Sequence, residues 1–244
     1  MHTLPTTDRF RLLRASQQFA YDRAPAIRAT SARLAVTSKY SLLDKQRQSP
    51  PFGGFLAADD TSIRRIYVSP GPVYEPHSFD EDTGKGFSHV FRQAGIGPGD
   101  RVLNTWSYHL VPAGLLLDAG IAATGATLIP CGPGGAEQQA QLIMELGITC
   151  ICSSTSFFVT LVETLERMGY DLPSQWKVRS AMLGGELGDW MGKRRALEQK
   201  YAIRTFSAYA TGDFGLIAYE ELGQLGYTVQ PDRLVQICDP HTGA

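Results

Sequence analysis

The pattern of apolar and polar positions changes texture near residue 62. Upstream, residues 6–47 are rich in Arg, Ala, Gln and Leu and show little strand pattern. Phe10, Leu13, Phe19 and Ile27 recur at loosely helical spacing, and Thr37 or Ser38 is placed to cap a short helix. Ser49-Pro-Pro-Phe-Gly-Gly54 punctuates this part as a turn. From Ser62 onward, short apolar runs alternate with longer amphipathic ones. The pattern predicts strands over 63–68, 101–105, 127–130, 148–153, 178–183 and 203–209. It predicts helices over 84–94, 110–123, 136–146, 156–168 and 189–200. Such alternation argues for an α/β fold, a mainly parallel sheet flanked by helices, joined by right-handed crossovers. The expected organisation is an N-terminal helical arm over 1–60 and an α/β core over 61–222. Residues 223–244 are read as C-terminal β-hairpin material opening a further subdomain.

Composition narrows the function classes. Hydrophobic residues make up 43% and charged residues 19% of 244, ordinary for a globular protein long enough to bury a sizeable core. A net charge of −1 gives no electrostatic case for nucleic acid or an anionic membrane. No apolar run reaches membrane-spanning length and residues 1–11 lack a signal pattern, so a cytoplasmic location is expected. The four cysteines form no C-x-x-C pair. Cys150 and Cys152 fall two apart in an apolar run and are expected to point to one face of a buried strand.

Several predicted strand ends carry chemistry. Tyr209, Thr211 and Asp213 follow the 203–209 run, where a hydroxyl and a carboxylate two residues apart could hold a metal ion and a phosphate oxygen. By spacing alone the segment also reads as a Gly-Asp turn between two strands. Ser69-Pro-Gly-Pro-Val-Tyr-Glu-Pro76 offers a hydroxyl and a glycine after a strand. Three prolines remove donors, no Lys is present and Glu75 opposes phosphate, so it also reads as a rigid structural loop. Gly184-Gly185-Glu186 allows close backbone approach to a flat ligand. Trp106-Ser-Tyr-His109 places a phenol and an imidazole after another strand. No nucleophile elbow is present, and Gly95-x-Gly97-x-Gly99 precedes a strand rather than following one, which excludes a dinucleotide fingerprint.

Taken in order, Thr37-Ser-Lys-Tyr-Ser-Leu42, Ala94-Gly-Ile-Gly-Pro-Gly-Asp-Arg-Val102, Ala123-Thr-Gly-Ala-Thr-Leu-Ile-Pro130, Leu183-Gly-Gly-Glu186, Tyr209-Ala-Thr-Gly-Asp213 and Ile237-Cys-Asp-Pro-His-Thr-Gly243 resemble the phenylacetate–coenzyme A ligase family of AMP-forming adenylating enzymes. The resemblance runs from about residue 35 to the last residue. It implies activation of a small carboxylic acid with ATP to an acyl-adenylate, then transfer to coenzyme A.

The resemblance also implies roles for residues. Gly184, Gly185, Glu186 and Tyr209 would lie beside adenine, and Ser69 and Gly71 near phosphate. Thr211 and Asp213 would be catalytic, with Asp213 holding Mg²⁺, and Tyr108, His109 and Phe157 would line the acid pocket. The Cys and His pattern of zinc-binding relatives is not matched after Glu220, so no zinc is expected. The resemblance allows a homodimer. The family's phosphate loop, rich in Ser, Thr and Gly and ending near Gly-Lys-Pro, is replaced here by Ser69–Pro76. Its ribose-binding Asp segment, hinge and C-terminal lid with a catalytic Lys have no counterpart in these residues. Two expectations follow: the N-terminal part of an acid–thiol ligase, or a non-catalytic relative that binds an acid or an adenylate.

Overall fold

The structure, a computed structural model, describes residues 6–29, 38–78, 85–185, 189–224 and 226–239. The chain divides into two compact units, Asp82–Thr228 and a second made of Met1–Glu81 with Val229–Ala244.

In the smaller unit, the described residues form α1 (Thr6–Arg23), α2 (Pro25–Ala29), α3 (Lys39–Gln48) and a 3-10 turn over Asp60–Ser62, then a hairpin of β1 (Ile63–Ser69) and β2 (Val73–Ser78). Ser38 caps α3 by accepting from the Ser41 amide at 3.1 Å. Gln46, 4% exposed, fixes α3 against β2, accepting from the Tyr74 amide at 2.9 Å and donating to its carbonyl at 2.8 Å. A buried amide satisfied on both sides in this way sets the register of helix on strand. Of Ser69–Pro76, the stretch that the sequence reads as a loop, residues 70–72 are the turn of an antiparallel hairpin and residues 73–76 lie in its second strand, with Ser69 paired to Val73.

The larger unit holds α4 (Lys85–Gln93), β3 (Arg101–Asn104), α5 (Ala113–Ala122), β4 (Thr127–Pro130), α6 (Ala136–Glu145), β5 (Cys150–Ser154), α7 (Thr155–Arg167), α8 (Leu172–Gln175), β6 (Ser180–Gly184), α9 (Trp190–Tyr201), β7 (Arg204–Phe206), β8 (Ala208–Thr211), β9 (Gly215–Glu220) and β10 (Tyr227–Val229). Five strands form a parallel sheet in the order β4-β3-β5-β6-β7. Side chains alternate between two cores. Leu103, Ile151, Ala181 and Leu183 face α6, α7 and α9, whereas Val102, Cys150, Cys152 and Met182 face α4 and α5. The two thiols share one face, as their spacing predicts. Because both faces are covered, these strands read as unbroken apolar runs. Burying Phe91 and Phe158, each 0% exposed, contributes about 2–3 kcal/mol apiece.

The 203–209 run is not one strand. It leaves the parallel sheet after Phe206 and, past Ser207, joins a separate antiparallel sheet ordered β10-β9-β8. Its alternation is continuous, but its pairing partner changes from β6 to β9. Within the tail, the described residues form one strand, β10, rather than a hairpin of their own. The outer edge of β7 is blunted by Glu198, which accepts from the Thr205 amide at 2.8 Å. Arg194, 7% exposed, adds a bidentate pair with Glu220 at 2.9 and 2.8 Å and donates to Thr205 Oγ1 at 2.8 Å.

Candidate functional site

In the larger unit the helix after β3 packs on one face of the sheet, and the helices after β4, β5 and β6 pack on the other. Neighbouring strands β3 and β5 therefore send their following loops to opposite faces. That is the topological switch point, and the crevice outside its carboxyl ends is where open α/β sheets hold ligands. The loop after β3 carries Trp106 and Tyr108, and the first turn after β5 carries Phe157.

Asn104, the last residue of β3 and 0% exposed, organises this edge. Its carbonyl accepts from the amides of Cys131 and Gly132, both at 3.0 Å, which ties in the loop after β4. Its side-chain oxygen accepts from the Trp106 amide at 3.2 Å. Its amide nitrogen donates to the Gly114 carbonyl at 3.1 Å and to the Tyr108 hydroxyl at 2.9 Å. Gly114 must be glycine: a methyl group there would lie 2.6 Å from the Ser107 carbonyl oxygen, and the Gly114 amide donates to that same oxygen at 2.9 Å. Helix α5 thus begins jammed against the 106–109 loop. It starts at Ala113 rather than at Leu110, because Leu110 takes a left-handed φ of 61°.

The Tyr108 hydroxyl donates to Asp118 on α5 at 3.3 Å. Burial pushes the Tyr108 phenol up to about 12; the Asn104 hydrogen bond pulls the other way and the Asp118 charge adds to the rise. The group is a neutral donor at physiological pH. Burial also raises the Cys131 thiol, in the loop after β4. Gln139 on α6 holds the next loop, donating to the carbonyls of Gly132 at 2.8 Å and Gly134 at 2.6 Å.

Across the sheet, Gly184 ends β6 and Gly185 takes a φ of 81°, which favours glycine. A methyl group on Gly185 would sit 3.2 Å from Trp106 Cη2, and one on Gly184 would lie 3.7 Å from Ser207 Oγ. Ser207, 2% exposed, bonds the Tyr227 hydroxyl at 3.1 Å. Tyr108, Trp106, Gly185, Gly184, Ser207 and Tyr227 therefore make a continuous row over the strand ends. The sequence pattern does not single out Asn104, Asp118, Ser207 or Tyr227, and it includes Trp106 only as the first residue of the Trp106–His109 stretch. Only the position of Trp106 immediately after a strand signalled its place.

The other candidates are distributed as follows. Phe157 begins α7, its amide donating to Ser154 at 3.2 Å and its ring packed against the core. His109 is exposed and its amide donates to Ser107 Oγ at 3.1 Å. Tyr209, 57% exposed, and Thr211 lie on β8, and Asp213 lies in the β8–β9 turn. These three therefore belong to an antiparallel hairpin and not to the end of a parallel strand. Thr211 Oγ1 accepts from the Phe214 amide at 3.3 Å. Asp213 is exposed and has no hydrogen-bond or ion-pair partner among the described residues. Among the described residues no group of three His, Cys, Asp or Glu side chains converges to hold a metal, so at Asp213 the protein offers Mg²⁺ one open carboxylate, and phosphate and water would complete its shell. Glu186 lies outside the described residues.

Ser69 and Gly71 sit in the smaller unit, at the β1–β2 turn. The Ser69 hydroxyl donates to Glu75 Oε1 at 2.6 Å, while Glu75 Oε2 is buried without a partner. A cavity of about 270 Å³ lies elsewhere, at the β7 edge between α4, α9 and the β9–β10 loop. Its lining residues include none of the row over the strand ends, which it adjoins through the Trp190 ring, 6.4 Å from that of Tyr227, so the geometry of those loops, not this hollow, defines the candidate site. Among the described residues, no helix is long and apolar enough to cross a membrane.

No family model matches the chain. It is 28% identical over 254 residues to the phenylacetate-coenzyme A ligase of Pseudomonas putida, covering 95% of this chain and 57% of that protein. It is 28% identical over 226 residues to the phenylacetate-coenzyme A ligase of Aromatoleum evansii, covering 88% and 50%. The chain spans about half the length of the curated relatives it matches. Among solved structures, a 2-hydroxyisobutyryl-CoA ligase in complex with 2-HIB-AMP and CoA superposes with a TM-score of 0.81 at 18% identity, over 90% of this chain and 54% of that one. The resemblance read from motif order therefore holds in sequence along most of the chain, and the α/β fold is that of part of an acyl-CoA ligase.

Proposed function

We propose that the chain is the acid- and nucleotide-binding part of an AMP-forming acid–coenzyme A ligase of the phenylacetate–coenzyme A ligase kind. In that reaction an oxygen of the acid's carboxylate attacks the α-phosphorus of ATP and displaces pyrophosphate, giving an acyl-adenylate. The coenzyme A thiol then attacks the acyl carbon and AMP leaves. The observation that carries the reading is the switch point: the loops with Tyr108 and Gly184-Gly185 and the first turn of α7 with Phe157 crown the carboxyl ends of one parallel sheet. In the same reading the enzyme is cytoplasmic.

The roles follow from chemistry. Tyr108, His109 and Phe157 receive the acid. Gly184 and Gly185, which leave the backbone bare, take the adenine side together with Glu186 and Tyr209. Thr211 and Asp213 are assigned to the phosphates; Ser69 and Gly71 keep, within the smaller unit, the phosphate-contacting role that the resemblance implies. Mg²⁺ held by Asp213 would offset charge building on the departing pyrophosphate.

A second reading, a non-catalytic acid- or adenylate-binding relative, is favoured by one observation: the Ser69 hydroxyl is already committed to Glu75. The test is titration with a non-hydrolysable phenylacetyl-adenylate, in wild type and Gly185→Val. Binding that is lost in the variant supports an adenylate site. Equal affinity in both would refute the placement of adenine at Gly185. Pyrophosphate exchange by the same preparation separates the two readings.

A further inference from the structure

Asp118 lies one turn beyond Gly114 on α5, on the side where the 106–109 loop rests. It is half-buried, and among the described residues its hydrogen-bond partner is the neutral Tyr108 phenol at 3.3 Å, with no Lys or Arg paired to it. The phenol is engaged on both sides, accepting from Asn104 at 2.9 Å and donating to Asp118. One carboxylate oxygen and most of the lone pairs of Asp118 are left for something else. A partly desolvated carboxylate is costly unless donors reach it. Here they must come from water or from a ligand beside the aromatic wall of Trp106 and Tyr108.

We propose that Asp118 makes the acid site selective for aromatic acids bearing a hydroxyl group on the ring, which it accepts as a hydrogen bond. This rests on the acid-site reading above and adds the substrate class to it. Two physical arguments carry it. An apolar pocket barely distinguishes an added hydroxyl, but a half-buried carboxylate whose second oxygen has no protein donor among the described residues gains a hydrogen bond only from the hydroxylated analogue. Like-charge repulsion also turns the substrate's own carboxylate away from Asp118, so the ring hydroxyl enters first and the carboxylate stays at the open end.

The test is calorimetric titration of the full chain with 3- and 4-hydroxyphenylacetic acid, phenylacetic acid and 4-methoxyphenylacetic acid. The readout is the ratio of dissociation constants. At least one hydroxylated acid should bind about tenfold tighter than phenylacetic acid, and the methoxy compound should show no such gain. Asp118→Ala should bring the ratio to one, and Asp118→Asn, which keeps an acceptor, should leave it intermediate. Acids that bind wild type without preference, or a preference that survives Asp118→Ala, would overturn the selectivity while leaving the acid site standing. If no acid binds to a chain that circular dichroism shows to be folded, the acid-site reading itself fails.

Discussion

Asn104 and Gly114 are joined by a hydrogen bond of 3.1 Å from the buried side-chain amide to the helix-start carbonyl, and this bond locks the loop between them onto the end of β3. Every polar atom of Asn104's side chain is engaged, and no water can replace it at 0% exposure. Asn104→Ala is expected to lower the unfolding free energy by roughly 2–3 kcal/mol, since it strands several buried partners. Gly114→Ala should cost about 1–3 kcal/mol through overpacking against Ser107. Urea unfolding checks both, and the effect should appear in the midpoint without a change in slope.

Tyr108 gives a pH signature. Its phenol is held near 12 against an ordinary value of 10, so the folded state keeps its proton where the unfolded chain has lost it. The stabilising contribution is full below pH 10 and fades as pH rises from about 10 to about 12. The ultraviolet tyrosinate titration of Tyr108→Phe should lack a late-titrating component present in wild type. The stability of Tyr108→Phe should also fall less steeply above pH 10 than that of wild type.

Arg194 and Glu220 pair with side chains 9% and 20% exposed. Arg194→Ala leaves a carboxylate buried and should cost roughly 3–5 kcal/mol. Arg194→Met combined with Glu220→Leu should recover most of that loss. A double-mutant cycle by chemical denaturation measures it.

At the hairpin turn, Glu75 holds the Ser69 hydroxyl and opposes phosphate. If Ser69 serves ATP, Glu75→Gln should tighten ATP binding by about fivefold, the equivalent of roughly 1 kcal/mol of removed repulsion, and change AMP binding much less. Identical ATP affinity in both proteins would support the second, non-catalytic reading.

The sequence disclosed the sheet because its strands are covered on both faces. Runs such as Cys150–Cys152 are apolar on both faces, and helices such as α7 carry a one-sided stripe. What it hid depends on long-range pairing. The 203–209 run alternates without a break, and nothing in it says that Ser207 is where the chain changes sheets. The 110–123 segment reads as an apolar helix, so Asp118 looks incidental until the 106–109 loop folds back onto Gly114 and brings Tyr108 to it. Likewise Glu75 reads as a charge opposing phosphate in a proline-rich loop, and the hairpin register is what delivers it to Ser69.

In the proposed ligase reading, the chain binds an adenine nucleotide through Mg²⁺ at Asp213. This is tested most directly by calorimetric titration with ATP and with AMP, each with Mg²⁺, on wild type and Asp213→Ala. The account predicts binding of both nucleotides by wild type and loss of the Mg²⁺-dependent part of ATP binding in the variant. A folded wild-type chain that binds neither, or ATP affinity unchanged by Asp213→Ala, would contradict it.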